Sequence, residues 1–196
     1  MKKLIPSDSV LIPVGAERAF KGKIFEVYQW SQEMFDGSKE MFEMLKRPDT
    51  TAVICVVDGK ILVLDEEQPN SGKRQSFPGG RVEPNDESIV AAAQREVLEE
   101  TGYSFQNWKL VKVWQPHTKL EWFVHLLLAW DELEQQDTAH EAGEKIAIEE
   151  LTFDEVKQLV INKAGHLGES LAVFESVNSL EELLALPEFV GREIER

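Results

Sequence analysis

A tight glycine turn followed by a glutamate-bearing helix constrains this chain more than any other feature. Gly79 and Gly80 predict the turn, and the pattern after them predicts an α-helix. At about 3.6 residues per turn, Glu96, Glu99 and Glu100 fall on one face of that helix. Three neighbouring carboxylates repel one another unless a cation lies between them. Because hard divalent cations such as Mg²⁺ prefer oxygen ligands and usually reach a substrate through its phosphates, we expect this face to hold metal ions against a phosphate-containing substrate.

The same stretch resembles the signature of the Nudix hydrolases. That signature has a glycine, five residues, a glutamate, seven residues, then Arg-Glu, an aliphatic residue, any residue, Glu-Glu, any residue and Gly. Its second half matches without exception from Glu87 through Arg95 to Gly102. In the first half, six residues instead of five separate Gly80 from Glu87, and the additional residue falls in the turn sequence Pro-Asn-Asp, residues 84–86. A surface turn absorbs an insertion at little cost, so we expect the helix to be unaffected and Glu87 to brace the loop.

This resemblance implies both a fold and a chemistry. The implied fold is α/β (α+β), an α/β/α sandwich around a mixed sheet. The implied reaction is metal-dependent cleavage of the pyrophosphate bond of a nucleoside diphosphate linked to another moiety, with Mg²⁺ or Mn²⁺ as cofactor. The implied metal ligands are Glu96, Glu100, Glu99 and the backbone carbonyl of Gly79, and Arg95 is expected to orient the glutamates. The alternative to a metal site is that these glutamates only form an acidic helix face exposed to solvent.

The flanking segments are similar to the ADP-ribose and nucleotide-sugar pyrophosphatases of this family. In that branch the catalytic base lies on a loop just before a strand similar to residues 144–148. This similarity implies that Glu144 is the base, with Glu141 as the nearest alternative. The other interpretation is that both glutamates only make the loop soluble. Two departures leave the exact substrate open. Residues 69–70 (Pro-Asn) replace an aromatic residue and an arginine, and Gly79 replaces an alanine.

Several cations and one aromatic residue near the signature are candidates for substrate binding. The cations, which could hold phosphate or a base, are Arg47, Arg74, Arg81 and Lys73. For each of them alone, the alternative is a surface position with no role in binding. Trp30 could stack on a nucleobase, whereas Trp122 is expected to pack within a strand. The best candidate reaction is hydrolysis of ADP-ribose to AMP and ribose 5-phosphate. The alternatives are a Nudix hydrolase of nucleoside triphosphates or dinucleoside polyphosphates, and a Nudix module that binds a nucleotide without cleaving it.

Composition narrows the class of protein. The 196 residues are 42% hydrophobic and 29% charged, which is typical of globular proteins. A net charge of −15 argues against nucleic acid as a partner, and no apolar run approaches the ~20 residues of a membrane helix. The small-molecule nucleotide therefore remains the expected ligand. Cys55, the single cysteine, excludes an intrachain disulfide and favours a cytoplasmic location, and its apolar surroundings predict a core residue.

Hydrophobic patterning predicts how the chain is organised. We expect an N-terminal β subdomain over residues 1–48 and a Nudix domain with C-terminal helices over residues 49–196. Asp58-Gly59 between two apolar runs predicts a β-hairpin. The other expected strands cover residues 25–30, 41–45, 109–114, 121–129 and 144–150. A polar loop is expected over residues 131–143, and helices over 87–101, 152–162 and from 179 to Pro187.

The N-terminal strand pair predicts a homodimer. An isolated two-stranded hairpin is marginal in water, and Phe25, Tyr28, Trp30, Met34 and Phe35 supply more apolar surface than such a hairpin can bury. The resemblance implies that these strands are exchanged between two copies of the chain.

Overall fold

The computed structural model describes residues 1–69, 72–139, 145–163 and 165–195. The strands of this part of the chain are β1 (Lys2–Ile5), β2 (Glu17–Lys21), β3 (Glu26–Glu33), β4 (Lys39–Lys46), β5 (Thr50–Val57), β6 (Lys60–Gln68), β7 (Gly72–Ser76), β8 (Tyr103–Trp114), β9 (Leu120–Glu121), β10 (Val124–Gln135), β11 (Lys145–Leu151) and β12 (Arg192–Glu195). The helices are α1 (Ile89–Thr101), α2 (Phe153–Ile161), α3 (Leu171–Glu175) and α4 (Leu180–Leu184), and a 3₁₀ helix covers Gly165–Ser170.

The central sheet is mixed. Its strand order is β11-β6-β5-β10-β8, with β5 and β10 parallel and the other neighbours antiparallel. Strand β6 pairs with β5 only near the turn that joins them. From Leu64 onward, that edge of β6 pairs with β7, and Leu64 lies opposite Ser76. This divergence lets β7 lead directly into the glycine turn in front of α1.

Helices cover both faces of this sheet. Along β5, Val53, Cys55 and Val57 pack in the same core as α1, whereas Ile54 and Val56 pack in the core formed with α2, α3 and α4. The alternation follows from the two-residue period of a strand. The expected α/β/α sandwich around a mixed sheet is confirmed. Cys55 is fully buried in the first core, and burial raises the pKa of its thiol well above the usual range, which confirms a packing role.

Local sequence signals explain the best-predicted elements. Asp58 and Gly59 both have positive φ, 48° and 75°, as a two-residue type I′ turn between β5 and β6 requires. Helix α1 begins after Ser88, whose side chain accepts a hydrogen bond from the Ala91 N–H, and ends at Gly102 in the left-handed conformation. The capping box at Thr152 opens α2 as predicted.

The predicted extent of two strands was wrong. Strands β8 and β10 extend beyond residues 109–114 and 121–129, so part of the expected loop over residues 131–143 is strand as far as Gln135. The extension pairs Phe105 with Glu132 and Tyr103 with Gln135 across irregular register. Because residues 131–135 are exposed, their polar composition follows from solvation and does not indicate a loop. Residues 140–144 lie outside the described residues.

The N-terminal residues form a second sheet in the order β2-β3-β4-β9. The predicted β3–β4 pair is present, and the Asp36 side chain accepts hydrogen bonds from Ser38 in its turn. Strand β4 runs parallel to β9, and β1 pairs with β12, so residues before 49 contact later parts of the chain. The domain boundary near residue 48 stays a prediction. Among the described helices, none has both the length and the apolarity needed to span a membrane.

Candidate active site

A cleft of about 740 Å³ opens at the glycine turn. Its walls come from the start of β5, the turn itself, the glutamate face of α1, the segment between β9 and β10, and the 3₁₀ helix after α2. Most of the candidate residues that the sequence singled out lie here. Lys23 and Ile24, from the N-terminal sheet, complete one side.

The glycine turn pairs with β5. The Thr51 N–H donates to the Gly80 carbonyl at 2.8 Å, and the Val53 N–H donates to the Pro78 carbonyl at 2.7 Å. Gly79 has a φ of 141°, and a methyl group at this position would lie 2.2 Å from the Thr51 carbonyl oxygen. Only glycine fits both the conformation and the close approach, which explains why alanine is absent here.

Two of the predicted metal ligands meet at this turn. The Gly79 N–H donates to Glu100 Oε2 at 2.7 Å, and Glu100 is only 8% exposed. The Glu96 carboxylate lies so close to Gly80 that a methyl group there would be 2.5 Å from it. Helical spacing therefore brings Glu96 and Glu100 to the turn, one helical turn apart, together with Gly79.

Arg95 holds the acidic helix face and the loop before it together. Its Nη1 donates to Glu96 Oε1 at 2.9 Å and to Glu99 Oε2 at 3.3 Å. Its Nη2 donates to the Arg81 carbonyl at 2.9 Å and to Asp86 Oδ2 at 3.1 Å. Hydrogen bonding to Asp86 raises the pKa of Arg95 despite partial burial. The geometry agrees with the expected orienting role.

The carboxylate that braces the loop is Asp86, and the expectation for Glu87 was wrong. Asp86 bonds two nitrogens of Arg95, and its Oδ2 also accepts the Glu83 N–H at 2.7 Å. The hydrogen bond from Arg95 lowers the pKa of Asp86. Glu87 is exposed and makes no hydrogen bond or ion pair with the described part of the chain. Asp86 belongs to the turn that carries the additional residue.

The carboxylate oxygens of Glu96 and Glu100 are ligands that suit a hard divalent cation. Among the residues that the structure describes, however, no three His, Cys, Asp or Glu side chains are arranged to hold such an ion. Glu99 faces Arg95, and Glu100 accepts from the Gly79 N–H. Glu96 and Glu100 supply oxygen ligands against one turn, and substrate phosphates are the usual further ligands of Mg²⁺.

Across the cleft, an arginine stacks on a tryptophan. The Arg47 guanidinium lies 4.4 Å from the Trp122 ring centroid and 5.8 Å from that of Phe25. Its Nε is buried with no hydrogen-bond partner in the described chain. Burial and the nearby Arg81 lower the pKa of Arg47. Arg47 therefore has an unused hydrogen-bond donor and lies near a second cation, Arg81, and this arrangement suits a bound anion.

The expectation that Trp122 packs within a strand was wrong. Trp122 lies between β9 and β10 and lines the cleft, with its Nε1–H donating to Thr50 Oγ1 at 3.2 Å. The sequence around it reads as one apolar strand over residues 121–129, and no local signal marks the break. Only its contact with Arg47, distant in sequence, reveals its position.

A buried aspartate supports this wall from behind. Asp49 is 6% exposed, and its carboxylate accepts the Phe123 N–H at 3.0 Å, forms an ion pair with Lys3, and lies 3.5 Å from His125 Nε2. Burial opposes its ionisation, but these partners outweigh burial and lower the pKa of Asp49. Its backbone carbonyl accepts the Val82 N–H at 2.9 Å. Asp49 therefore connects the Trp122 segment to the chain after the glycine turn.

The other two predicted substrate-binding residues lie in different places. Arg74, on β7, lines the cleft and donates to the buried Glu66. Trp30, on β3, packs 6.2 Å from the Phe42 ring and does not line the cleft of its own chain. Its proposed contact with a base stays a prediction.

Glu141 and Glu144, the two candidates for the base, lie outside the described residues. The residues on either side of residues 140–144 are placed. The Ala139 N–H donates to the Glu99 carbonyl at 2.8 Å, and Ala139 lines the cleft. Lys145 opens β11 opposite Glu67 of β6. The chain thus enters this segment from the wall beside α1.

Residues 45–171 match the model of the NUDIX domain family. The chain belongs to the Nudix family. This Nudix protein is 30% identical over 168 residues to the ADP-ribose pyrophosphatase of Bacillus subtilis (strain 168), covering 83% of this chain and 85% of that protein. It is 26% identical over 155 residues to the methanol dehydrogenase activator of Bacillus methanolicus, covering 76% and 83%.

The crystal structure of an ADP compounds hydrolase has the same fold as this Nudix protein. The TM-score is 0.62 with 20% identity, covering 79% of this chain and 86% of the other. The family and the fold that the sequence predicted are confirmed.

Proposed function

We propose that this Nudix hydrolase cleaves the pyrophosphate bond of a nucleoside diphosphate linked to another moiety, with ADP-ribose as the best candidate. The observation that carries the proposal is the pair Arg47 and Arg81, which form no ion pair with any described residue although the chain has a net charge of −15. They line the same cleft as Glu96 and Glu100. Arginines without a carboxylate partner among the described residues, in the same cleft as the proposed metal-binding carboxylates, suit a pyrophosphate, which needs both.

Nudix hydrolases generally use divalent metals. In this chain Glu96 and Glu100 would hold Mg²⁺ or Mn²⁺, with Glu99 and the Gly79 carbonyl as further ligands. The carbonyls of Pro78 and Gly80 are already bonded to β5, whereas that of Gly79 is not among the carbonyls paired with this strand. A bound divalent ion neutralises phosphate charge and lowers the pKa of a coordinated water.

Other residues of the chain have separate roles in the proposed reaction. Arg47 and Arg81 hold the phosphates, while Arg95 keeps Glu96 and Glu99 in place. Water forms a new bond to one phosphorus as the bond from that phosphorus to the bridging oxygen breaks. Its proton passes to a base, for which we propose Glu144, with Glu141 as the alternative. From ADP-ribose the products are AMP and ribose 5-phosphate. The position of Ala139 on the cleft wall supports a base in the segment that follows.

A substrate panel with Mg²⁺ tests this function. ADP-ribose should release AMP, and excess chelator should abolish the release until Mg²⁺ or Mn²⁺ is restored. Release of pyrophosphate or phosphate from nucleoside triphosphates, with no turnover of ADP-ribose, would instead establish the triphosphate alternative. Binding of ADP-ribose without hydrolysis would establish a binding module. Full activity in chelator would contradict the metal site.

Exposed apolar side chains on the N-terminal sheet support a homodimer. Phe20, Phe25, Met41 and Leu45 are 59%, 42%, 68% and 41% exposed in the single chain. Large exposed apolar groups concentrated on one sheet are typical of an interface. We propose that two copies associate through β2, β3 and β4, and that this association brings Phe25, which already contacts Arg47, into a shared wall of the cleft.

A further inference from the structure

One part of the cleft lining is a wall of polar side chains that the chemistry proposed above does not use. This wall, here called the distal wall, spans β6, β7 and the 3₁₀ helix. Its residues are Glu66, Arg74, His166, Glu169 and Ser170.

Burial and hydrogen bonds fix the side chains of the distal wall. Glu66 is 6% exposed and Ser170 is 3% exposed. The Arg74 Nε donates to Glu66 Oε1 at 2.5 Å. Gly165, at the start of the 3₁₀ helix, lies so close to β7 that a methyl group would be 2.2 Å from the Gln75 carbonyl oxygen. The helix therefore packs directly on the strand that carries Arg74, and the two sets of side chains have a fixed relation.

Each cation of the distal wall has its own carboxylate. Arg74 pairs with Glu66, and His166 Nδ1 lies 3.2 Å from Glu169 Oε1. The hydrogen bond with Glu169 raises the pKa of His166. The wall thus presents nitrogen donors beside oxygen acceptors and carries little net charge. Arg47 and Arg81, which also line the cleft, form no ion pair with any carboxylate in the described part of the chain.

We propose that the distal wall binds an uncharged polyhydroxylated group, the sugar attached to the nucleoside diphosphate, through its hydroxyls. This inference rests on the proposed function. A hydroxyl both donates and accepts, so it matches alternating guanidinium, imidazole and carboxylate groups. A terminal phosphate only accepts, and here it would face Glu66 and Glu169. The distal wall therefore selects nucleotide sugars over nucleoside triphosphates.

The distance along the chain permits one substrate to reach both places. Arg74 precedes Gly79 by five residues, so their Cα atoms are at most about 18 Å apart. A pyrophosphate at the glycine turn can therefore carry a sugar toward the distal wall, and the cleft volume of about 740 Å³ lies in the usual range for small-molecule sites.

A pair of substrates isolates the contribution of the sugar. ADP-ribose and the methyl ester of ADP share the nucleotide and the pyrophosphate, but only the first carries a sugar. His166→Ala should reduce kcat/KM for ADP-ribose by ~10-fold or more, the scale of one lost hydrogen bond to a charged group, and leave the methyl ester unchanged. Because the His166 side chain is 55% exposed, this variant should fold.

A second variant guards against effects on stability. Arg74→Lys keeps a cation beside the buried Glu66 but removes the guanidinium fork, and it should show the same selective loss. Lys73→Ala is the matched control. Lys73 was a candidate from the sequence, but the structure shows it as the exposed neighbour of Arg74, outside the lining of the cleft. Equal losses for both substrates, or no preference of the wild type for ADP-ribose, would overturn the sugar site.

Calorimetric titration in chelator gives a readout that does not depend on turnover. Both ligands carry the same diphosphate, so repulsion by the α1 carboxylates weakens both alike and cancels in the ratio of their dissociation constants. The ratio of the dissociation constants of the methyl ester and ADP-ribose should exceed one for the wild type and fall toward one for His166→Ala. If the wild type hydrolyses neither substrate, the proposed function fails, and the ratio still decides the sugar site. A ratio that is equal in both proteins refutes the site even if hydrolysis is observed.

Discussion

A methyl group at Gly80 should damage the proposed metal site without damaging the fold. In Gly80→Ala the new carbon would lie 2.5 Å from the Glu96 carboxylate, whereas ordinary contact begins at 3.4 Å, so the carboxylate must move by about 0.9 Å. The φ of Gly80 lies outside the left-handed region, so alanine introduces no backbone strain there. A misplacement of ~1 Å in a catalytic group can cost ~10²-fold in rate. We therefore expect turnover of ADP-ribose to fall about 10²-fold.

Stability separates this effect from general disruption. Because only the end of a flexible side chain must move, the free energy of unfolding of Gly80→Ala in urea should stay within about 1 kcal/mol of the wild type. Gly79→Ala is the matched contrast. It requires a φ of 141° and meets the Thr51 carbonyl oxygen at 2.2 Å. It should lose roughly 1–3 kcal/mol from backbone strain alone, before any clash is counted.

Three measurements decide the Gly80 argument: urea unfolding, turnover at saturating Mg²⁺, and the Mg²⁺ concentration that gives half-maximal turnover. The expected result for Gly80→Ala is native stability with lower turnover and a higher Mg²⁺ requirement. Native turnover and native Mg²⁺ dependence in a folded Gly80→Ala protein would refute the assignment of Glu96 as a ligand held against this turn.

Three further results are expected. Glu144→Gln should cut kcat by ~10²–10⁴ with little change in substrate affinity, and loss in Glu141→Gln instead would move the base to that residue. Asp86→Asn should lower the free energy of unfolding at pH 7 by about 1 kcal/mol. The pKa of Asp86 is lowered in the fold, so the stability it adds is lost as pH falls through that pKa, and urea titrations should converge in acid. Light scattering should give twice the chain mass of 22.3 kDa, and a monomer at micromolar concentration would contradict the dimer.

The parts of the fold that the sequence predicts are those with local causes. The turn at Asp58-Gly59 needs two residues that tolerate positive φ, and both are adjacent in sequence. Helix α1 follows from its spacing of apolar and acidic residues, its Ser88 cap and its Gly102 stop. For the same reason the glutamates reach the glycine turn together, since the helix fixes their relation before any tertiary contact forms.

The parts that escaped prediction depend on contacts between distant segments. Strands β1 and β12 pair across almost the whole chain, and neither has a pattern strong enough to identify it alone. Trp122 acquires its place from Arg47, 75 residues earlier. Asp86 and not Glu87 braces the loop, through Arg95, and residue spacing cannot show which of two adjacent carboxylates faces inward.

The distribution of charge within the cleft supports the proposal that an acidic chain accepts an acidic substrate. Most cations near the site are paired: Arg95 with Asp86, Glu96 and Glu99, and Arg74 with Glu66. Among the described residues, Arg47 and Arg81 form no ion pair with a carboxylate, so under the proposed function they would remain available to a phosphate. The carboxylates of α1 then repel a bare pyrophosphate unless a divalent cation lies between them. Under the proposed function, the acidic face that disfavours the free ligand would favour a pyrophosphate that carries a divalent cation.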